Sequence, residues 1–445
     1  MKIRGLLVAT FVFFVLFGIL YWSEHHKPSE TAKVSADTPP AILKLDASAI
    51  TTLDLQKKDA APIILTKGAS GNWEISEPKA LRADQSTVSG IVDTVSKLNS
   101  ERLVEDKAGD LKQYGLDQPA FQLAVTEKNN QTQKVLIGDE TPTGGSVYAM
   151  LAGDPRIFTM ASYTRTSIDK NLNDLRDKRL LTVNPDKVSQ VTLVAKNQDI
   201  EFGRNKDEWQ ILKPKPLRAD SFEVGDLVRK LAEAKMDLSS SDANDADSAF
   251  AHAKPIATAK LTDESGTQVL QVRKDKDTYY AKSSAVTGAY KVDANLGQAV
   301  DKGLDDFRNK KIFDFGYIEP NKIELHNGSK AYFLIRNNNN EDWWWNGKKM
   351  DAGSVQSLVS DLRDLSANKF VDSGAANSRF ASPAIEAAVT SDDGKRVEKV
   401  AIAKDNDGYI ARRENDPTLY QLNSSSIQDI QKAAEEIKPA PAPGK

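Results

Sequence analysis

The string WEISEPKALRAD that begins at Trp73 returns as WQILKPKPLRAD at Trp209, with eight of its twelve positions identical. The spacing is 136 residues (209 minus 73), and the match continues at that offset with Tyr114 against Phe250 and Pro119 against Pro255. A match of that reach marks a duplicated domain. In a chain of 445 residues the period leaves room for a third copy.

Each copy reads as a meander, a helix, a hairpin with further short strands, and a closing helix. In the second, VSQVTLVAK and DIEFGR alternate as strands and Trp209-Gln-Ile-Leu is a third. SFEVGDLVRKLAEAK has helical spacing through Phe222, Val224, Leu227, Val228 and Leu231. A hairpin around Glu264-Ser265-Gly266 follows, then the short strands TYYAKS and AYKVDA, then LGQAVDKGLDDFRNKKIF as a closing helix. The first copy aligns with this element by element, and its SIDKNLNDLRDKRLL matches the closing segment. In the third, the cluster Trp343-Trp344-Trp345 stands at the Trp position and Phe380 with Pro383 replaces the Tyr/Phe and Pro pair. There the turn after the Trp is shortened and the Arg of the RAD triplet is missing. The predicted class is α+β: three tandem modules, each a mostly antiparallel sheet with two helices. The expected limits are 41–180, 181–314 and a divergent 315–438, packed end to end, with 439–445 as a disordered, solvated tail.

Ahead of the modules, Met1-Lys2-Ile3-Arg4 leads into eighteen residues without a charge, Gly5 to Trp22. As a helix this run spans roughly 27 Å, close to the roughly 30 Å hydrocarbon core. Bulky residues at its exit, Leu20-Tyr21-Trp22, argue against signal cleavage, so residues 1–22 read as an uncleaved signal anchor. Lys2 and Arg4 place the short side in the cytoplasm and the bulk of the chain outside it, in the periplasm of a Gram-negative-like cell. Residues 23–40 are polar and proline-bearing, a flexible tether with an r.m.s. span of roughly 25 Å. His25 and His26 in that tether lack further ligands, so they read as solvated linker and not as a metal pair.

Composition narrows the functional classes. With 40% hydrophobic and 28% charged residues, each module can bury a core. A net charge of −3 with the signs interspersed offers no sustained attraction for nucleic acid. The absence of cysteine removes disulfides, thiolate nucleophiles, iron–sulfur ligation and a lipidated amino-terminal Cys.

The sharpest repeated motif is Leu-Arg-Ala-Asp at 81–84 and 217–220. Asp84 and Asp220 immediately precede helical patterns, and Glu223 follows Asp220 by three residues, so the carboxylates read as helix caps. Arg82 and Arg218 are expected to pair with a carboxylate or the closing segment, with ligand binding as the alternative. Trp73 and Trp209 read as core fillers. Strand alternation puts Trp343 and Trp345 on one face and Trp344 on the other, so at least one indole is expected in solvent, as a candidate contact site for glycan, lipid or protein. Asp405, Asp407, Gly408 and Glu414 have partial calcium-loop spacing, but Ala403 stands where the first ligand belongs. Asp242, Asp245 and Asp247 lie in a Ser/Ala/Asn-rich loop that reads as a solvated connection. His252 and His326 have no nucleophile context, and no Gly-rich phosphate loop is present. No catalytic, cofactor or metal residue is proposed.

The W-x-I-x-x-P-x-x-x-x-A-D pattern, the Tyr114-Gly-Leu-Asp-Gln-Pro119 string, the closing Leu175-Arg-Asp-Lys-Arg-Leu-Leu181 and the anchor resemble a bacterial family known as domain of unknown function 4340. The resemblance covers Ile42 to about Phe315 well and the third module loosely. It implies an extracytoplasmic role beside the auxiliary component of gliding-motility-type ABC transporters, and no known catalytic residues. The expected function is therefore that of a noncatalytic accessory or scaffold subunit on the inner membrane, partnered with a permease and ATPase. An envelope glycan- or lipid-binding protein is the alternative, and an unrecognised hydrolase the second.

Overall fold

The computed structural model describes residues 40–206, 208–239, 245–337, 341–371, 377–406 and 408–441. The anchor and all of the tether but Pro40, His25 and His26 included, lie outside them. Among the described residues no helix is long and apolar enough to cross a membrane.

Three antiparallel sheets form, each on its own core. In the first module the spatial order is Leu81–Arg82, Trp73–Glu77, Ile63–Lys67, Ile50–Lys57, Phe121–Glu127, Thr132–Glu140, Ser146–Leu151, Ile157–Ala161 and Arg102–Glu105. The second and third modules repeat this order strand for strand, except that the last strand has no counterpart among the described residues of the second. The alternating strands put Leu53, Leu193 and Ile323 on the covered face. Each pairs with two further apolar residues: Leu65 and Val125, Ile200 and Ala259, Leu334 and Val389. Every one of these positions is buried.

One helix in each module packs on that face: Gln85–Ser96, Ser221–Ala232 and Ala352–Asp364. Their buried residues fall at one spacing, Val88-Ile91-Val92-Val95, Val224-Leu227-Val228-Leu231 and Val355-Leu358-Val359-Leu362. This is the i, i+3, i+4, i+7 stripe of a helix lying on a core. In the third module Ser424–Glu435 joins it, burying Ile427, Ile430 and Ala434.

The closing segments of the first two modules differ from the expected helices, while the third module's expected closing helix forms at Ser424–Glu435. In the first module, helix is confined to Ser162–Ile168 and Leu172–Leu175. In the second it is confined to Ala294–Val300 with a 3-10 turn at Leu304–Asp306. A further short helix, Ala246–His252, stands where the sequence reading has a loop. Beyond the short helices the chain is extended and pairs with the RAD strand, through bridges between Ala83 and Arg176 and between Ala219 and Arg308. The gain of cross-chain backbone hydrogen bonds and of buried Leu175 and Phe307 outweighs local helix preference.

The described residues fall into two compact units, one ending at Lys178 and one starting at Arg179, the second holding the second and third sheets. Leu175 belongs to the first core, Leu180 and Leu181 to the second, and Ile312 and Phe313 to the third. Within the second unit, the Leu180 amide donates to the Ala234 carbonyl at 2.8 Å and the Ile312 amide to the Leu365 carbonyl at 3.0 Å. The stretch 307–313 therefore finishes the second module and starts the third with no linker between.

The tail expectation is corrected in part. Met350 bridges Pro439, the Asp351 amide donates to the Lys438 carbonyl, and the Ala440 amide donates to the Lys349 carbonyl. These are the bonds that closing segments make in the first two modules: Asp84 to Leu175 and Asp177 to Arg82, then Asp220 to Phe307 and Asn309 to Arg218. Residues 438–440 thus serve as the closing segment of the third module.

Candidate functional site

The two charged residues of the Leu-Arg-Ala-Asp motif do different jobs. Asp84 accepts from the Thr87 amide at 2.8 Å, and Asp220 from the Phe222 and Glu223 amides at 3.0 and 3.2 Å. In the third module Asp351 takes the same place and accepts from the Ser354 amide at 2.9 Å. Each satisfies donors that the first helical turn leaves free. Glu223 completes no capping box; its carboxylate holds Lys302 at 2.6 Å. The residue after the cap ties this corner to the Trp strand, since the Trp73 amide donates to Gln85 Oε1 at 2.8 Å and the Trp209 amide to Ser221 Oγ at 3.0 Å.

The arginine holds neighbouring structure. Arg82 faces Asp177 at 3.7 Å. Arg218 is the more heavily used, reaching from the second module to acceptors on or beside the third. It donates to the Lys311 carbonyl at 3.0 Å, to the Tyr420 hydroxyl at 2.9 Å and to the Asp314 carboxylate. Burial opposes its charge, but Asp314 and Tyr420 outweigh burial and raise its pKa. Tyr420 in turn donates to Asp416 at 2.6 Å, and burial is the main reason its pKa is pushed up to about 12. Arg413 adds a bond to the Ile312 carbonyl at 2.5 Å and one to buried Glu398 at 2.9 Å, while Arg308 stacks on Phe370. In the third module Lys349 holds the arginine's place and pairs with Asp342 at 2.7 Å. Three of the five N–H donors of Arg218 go to protein acceptors on or beside the third module, which ties the guanidinium to the joint.

Trp73, Trp209 and Trp343 are equivalent and buried. Each has a cation over its ring: Lys67 at 5.8 Å, Arg204 at 5.9 Å and Arg336 at 4.5 Å. Trp345 is partly covered and lies against Tyr332 with ring centroids 5.3 Å apart. Trp344, on the opposite face, is 45% exposed. Its strand partner is Ile335, and Phe333 lies two residues along on the same face. Both are about half exposed. At the aligned strand pairs the first module has Thr66 with Glu74 and the second Gly203 with Gln210. The apolar strip that Trp344 and Ile335 build is thus a feature of the third module at this strand pair.

That strip borders a groove of about 660 Å³ on the sheet face opposite the helices, lined by Glu324, His326, Glu386, Lys399 and Arg412 among others. At one end the face is closed by a small cluster of Phe380, Ala403, Ile410 and Leu419. Tyr114 has the corresponding place in the first module, packed with Leu116, Met150 and Ile157. Elsewhere on this face Phe333, Ile335, Trp344 and Val397 are about half exposed. His326 sits edge-on to Phe333 at 5.6 Å, and His326 and Glu386 are register partners. Phe333 and Ile335 were missed by reading the Trp cluster alone. Aligning AYFLIR with the equivalent strands IILTK and DIEFGRN shows the change at Ile335, which stands against Thr66 and Gly203, while Phe333 stands against Glu201 in the second module and Ile64 in the first.

The remaining candidates are engaged within the protein. Asp405 pairs with Arg379 and Glu414 with Lys399, while Asp407 lies outside the described residues. Asp247 accepts from the Ala289 amide at 2.9 Å; Asp242 also falls outside them. His252 Nδ1 meets the Ser248 carbonyl at 2.8 Å. Among the described residues no group of three or more His, Asp or Glu side chains is placed to hold a metal.

No curated protein and no solved structure matches the chain. A family model does, over residues 73–216 and again over 209–383. The two overlapping matches start at Trp73 and Trp209, the repeated indoles around which the modules are built, and the chain belongs to the family described as Domain of unknown function (DUF4340).

Proposed function

We propose that this chain is a noncatalytic, membrane-anchored scaffold of the cell envelope, with three modules outside the cytoplasm, acting as an accessory subunit of an ABC-transporter-type complex. The observation that carries the noncatalytic reading is the fate of the repeated motif: its Asp caps helices and Arg218 fastens one module to the next. Chemistry repeated through a chain would be expected to face a ligand if it served one. Here it faces backbone and neighbouring modules.

The anchoring rests on the uncharged run from Gly5 to Trp22, preceded by Lys2 and Arg4. The transporter context rests on the family resemblance. Affinity capture of the tagged full chain from detergent-solubilised membranes tests the reading. A permease and an ATPase should be recovered together with it, and their absence under mild conditions removes the transporter assignment.

A further inference from the structure

The geometry points to the open face of the third sheet as a binding site for a neutral, polyhydroxylated chain, a glycan strand. The strip and the groove lie side by side on one face. Lys349, Trp344, Ile335 and Lys322 form one row across successive strands, and Phe333 and Glu324 stand in the next. His326, Glu386 and Arg412 continue along the face toward the Phe380 cluster. A ligand lying across the strands meets apolar rings first and hydrogen-bonding groups after them.

Charge decides the ligand class. Lys349 is paired with Asp342, Lys322 with Glu324, and Lys399 with Glu414. With Arg412 offset in sign by Glu386 on the same face, the strip and the groove offer donors and acceptors without a net field of either sign. An anionic lipid surface or a nucleic acid would require uncompensated cations. Area argues against a stable protein partner. With Trp344 45%, Phe333 47% and Ile335 52% exposed, the strip offers on the order of 300 Å² of side-chain surface. A stable complex buries about 800 Å² per partner, more than half of it apolar.

A sugar ring suits what is left. Its C–H face packs on the negative face of an indole or phenyl ring, and its hydroxyls take the paired carboxylates and lysines at the rim. The groove lets a chain of such rings continue past the strip. The replacement of Glu74 and Gln210 by Trp344 at the equivalent position is the second observation, because it builds this surface in the third module while the two indoles beside Trp344 keep the core and ring packing. The site does not depend on the transporter reading.

The test titrates the full chain in detergent micelles with the N-acetylglucosamine hexasaccharide and with cellohexaose, read by calorimetry and indole fluorescence. At least one should bind saturably, and Trp344→Ala and Phe333→Ala should each weaken it at least tenfold. Trp344→Gln, which restores the side chain of the second module at a solvent-exposed site, should do the same with an unchanged melting temperature. Lack of binding to both sugars overturns the inference, as does affinity that the three variants leave unchanged. Loss of association with phosphatidylglycerol-containing nanodiscs in these variants, without loss of sugar binding, would assign the strip to lipid and overturn it too.

Discussion

Arg218 and Tyr420 belong to different sheets, 202 residues apart in sequence, and meet at 2.9 Å. The contact turns a motif residue of the second module into a fastener for the third. Arg218→Ala should destabilise residues 179–445 by about 2 kcal/mol, the range for hydrogen bonds to a charged group. Tyr420→Phe should cost about 1 kcal/mol, since Asp314 still holds the guanidinium. Calorimetry of the two variants checks the order; equal and negligible effects would remove the joint.

The capping aspartates should behave alike in all three modules even though the third has lost the arginine. Asp84→Ala, Asp220→Ala and Asp351→Ala are each expected to cost about 1 kcal/mol in urea unfolding. A silent Asp351→Ala would show that the third copy has lost this part of the motif.

The indoles of the third module should separate sharply. Trp343→Ala removes a buried ring and should cost about 3–5 kcal/mol, while Trp344→Ala should leave unfolding nearly unchanged. Denaturant midpoints of the two variants measure this directly.

Asp361 has its carboxyl pKa raised, first by burial and then by Asp429 and Asp364. The folded state therefore keeps this proton to higher pH than the unfolded state. The stability it contributes is present below the unfolded carboxyl pKa of about 3.9 and is lost as pH rises through the higher folded value. Asp361→Asn should stabilise the protein at neutral pH and lose that advantage in acid, as thermal melts across the pH range will show.

Tyr420 and Tyr114 both have hydroxyl pKa values raised to about 12, Tyr420 chiefly by burial and Tyr114 chiefly by its hydrogen bond to Glu105. In alkaline difference spectra these two tyrosines should titrate late. Tyr420→Phe should reduce that late amplitude by half.

The repeat told most of the fold, because a Trp strand, an Asp cap and an aliphatic i, i+3, i+4, i+7 stripe are local patterns that recur in order in each module. The closing segments were not legible. Leu175-Arg-Asp-Lys-Arg has the composition of a helix end, and only a partner strand nearly a hundred residues earlier makes it extended. Pro439-Ala440 looked like tail for the same reason: Pro439 donates nothing, yet Lys438 and Ala440 supply the carbonyl and the amide that close the third sheet. The separation of the three tryptophans was readable from strand alternation. Their neighbours were not, because the exposure of Phe333 and Ile335 depends on what covers the back of the sheet.

The side of the membrane on which the modules stand decides the functional account, and the chain's lack of cysteine makes it measurable. Tyr317 is 97% exposed in the third module. A single Tyr317→Cys in the full chain, treated with a membrane-impermeant maleimide in cells whose outer membrane has been permeabilised, should label before lysis. Labelling that occurs only after the inner membrane is broken would place the modules in the cytoplasm and contradict the account.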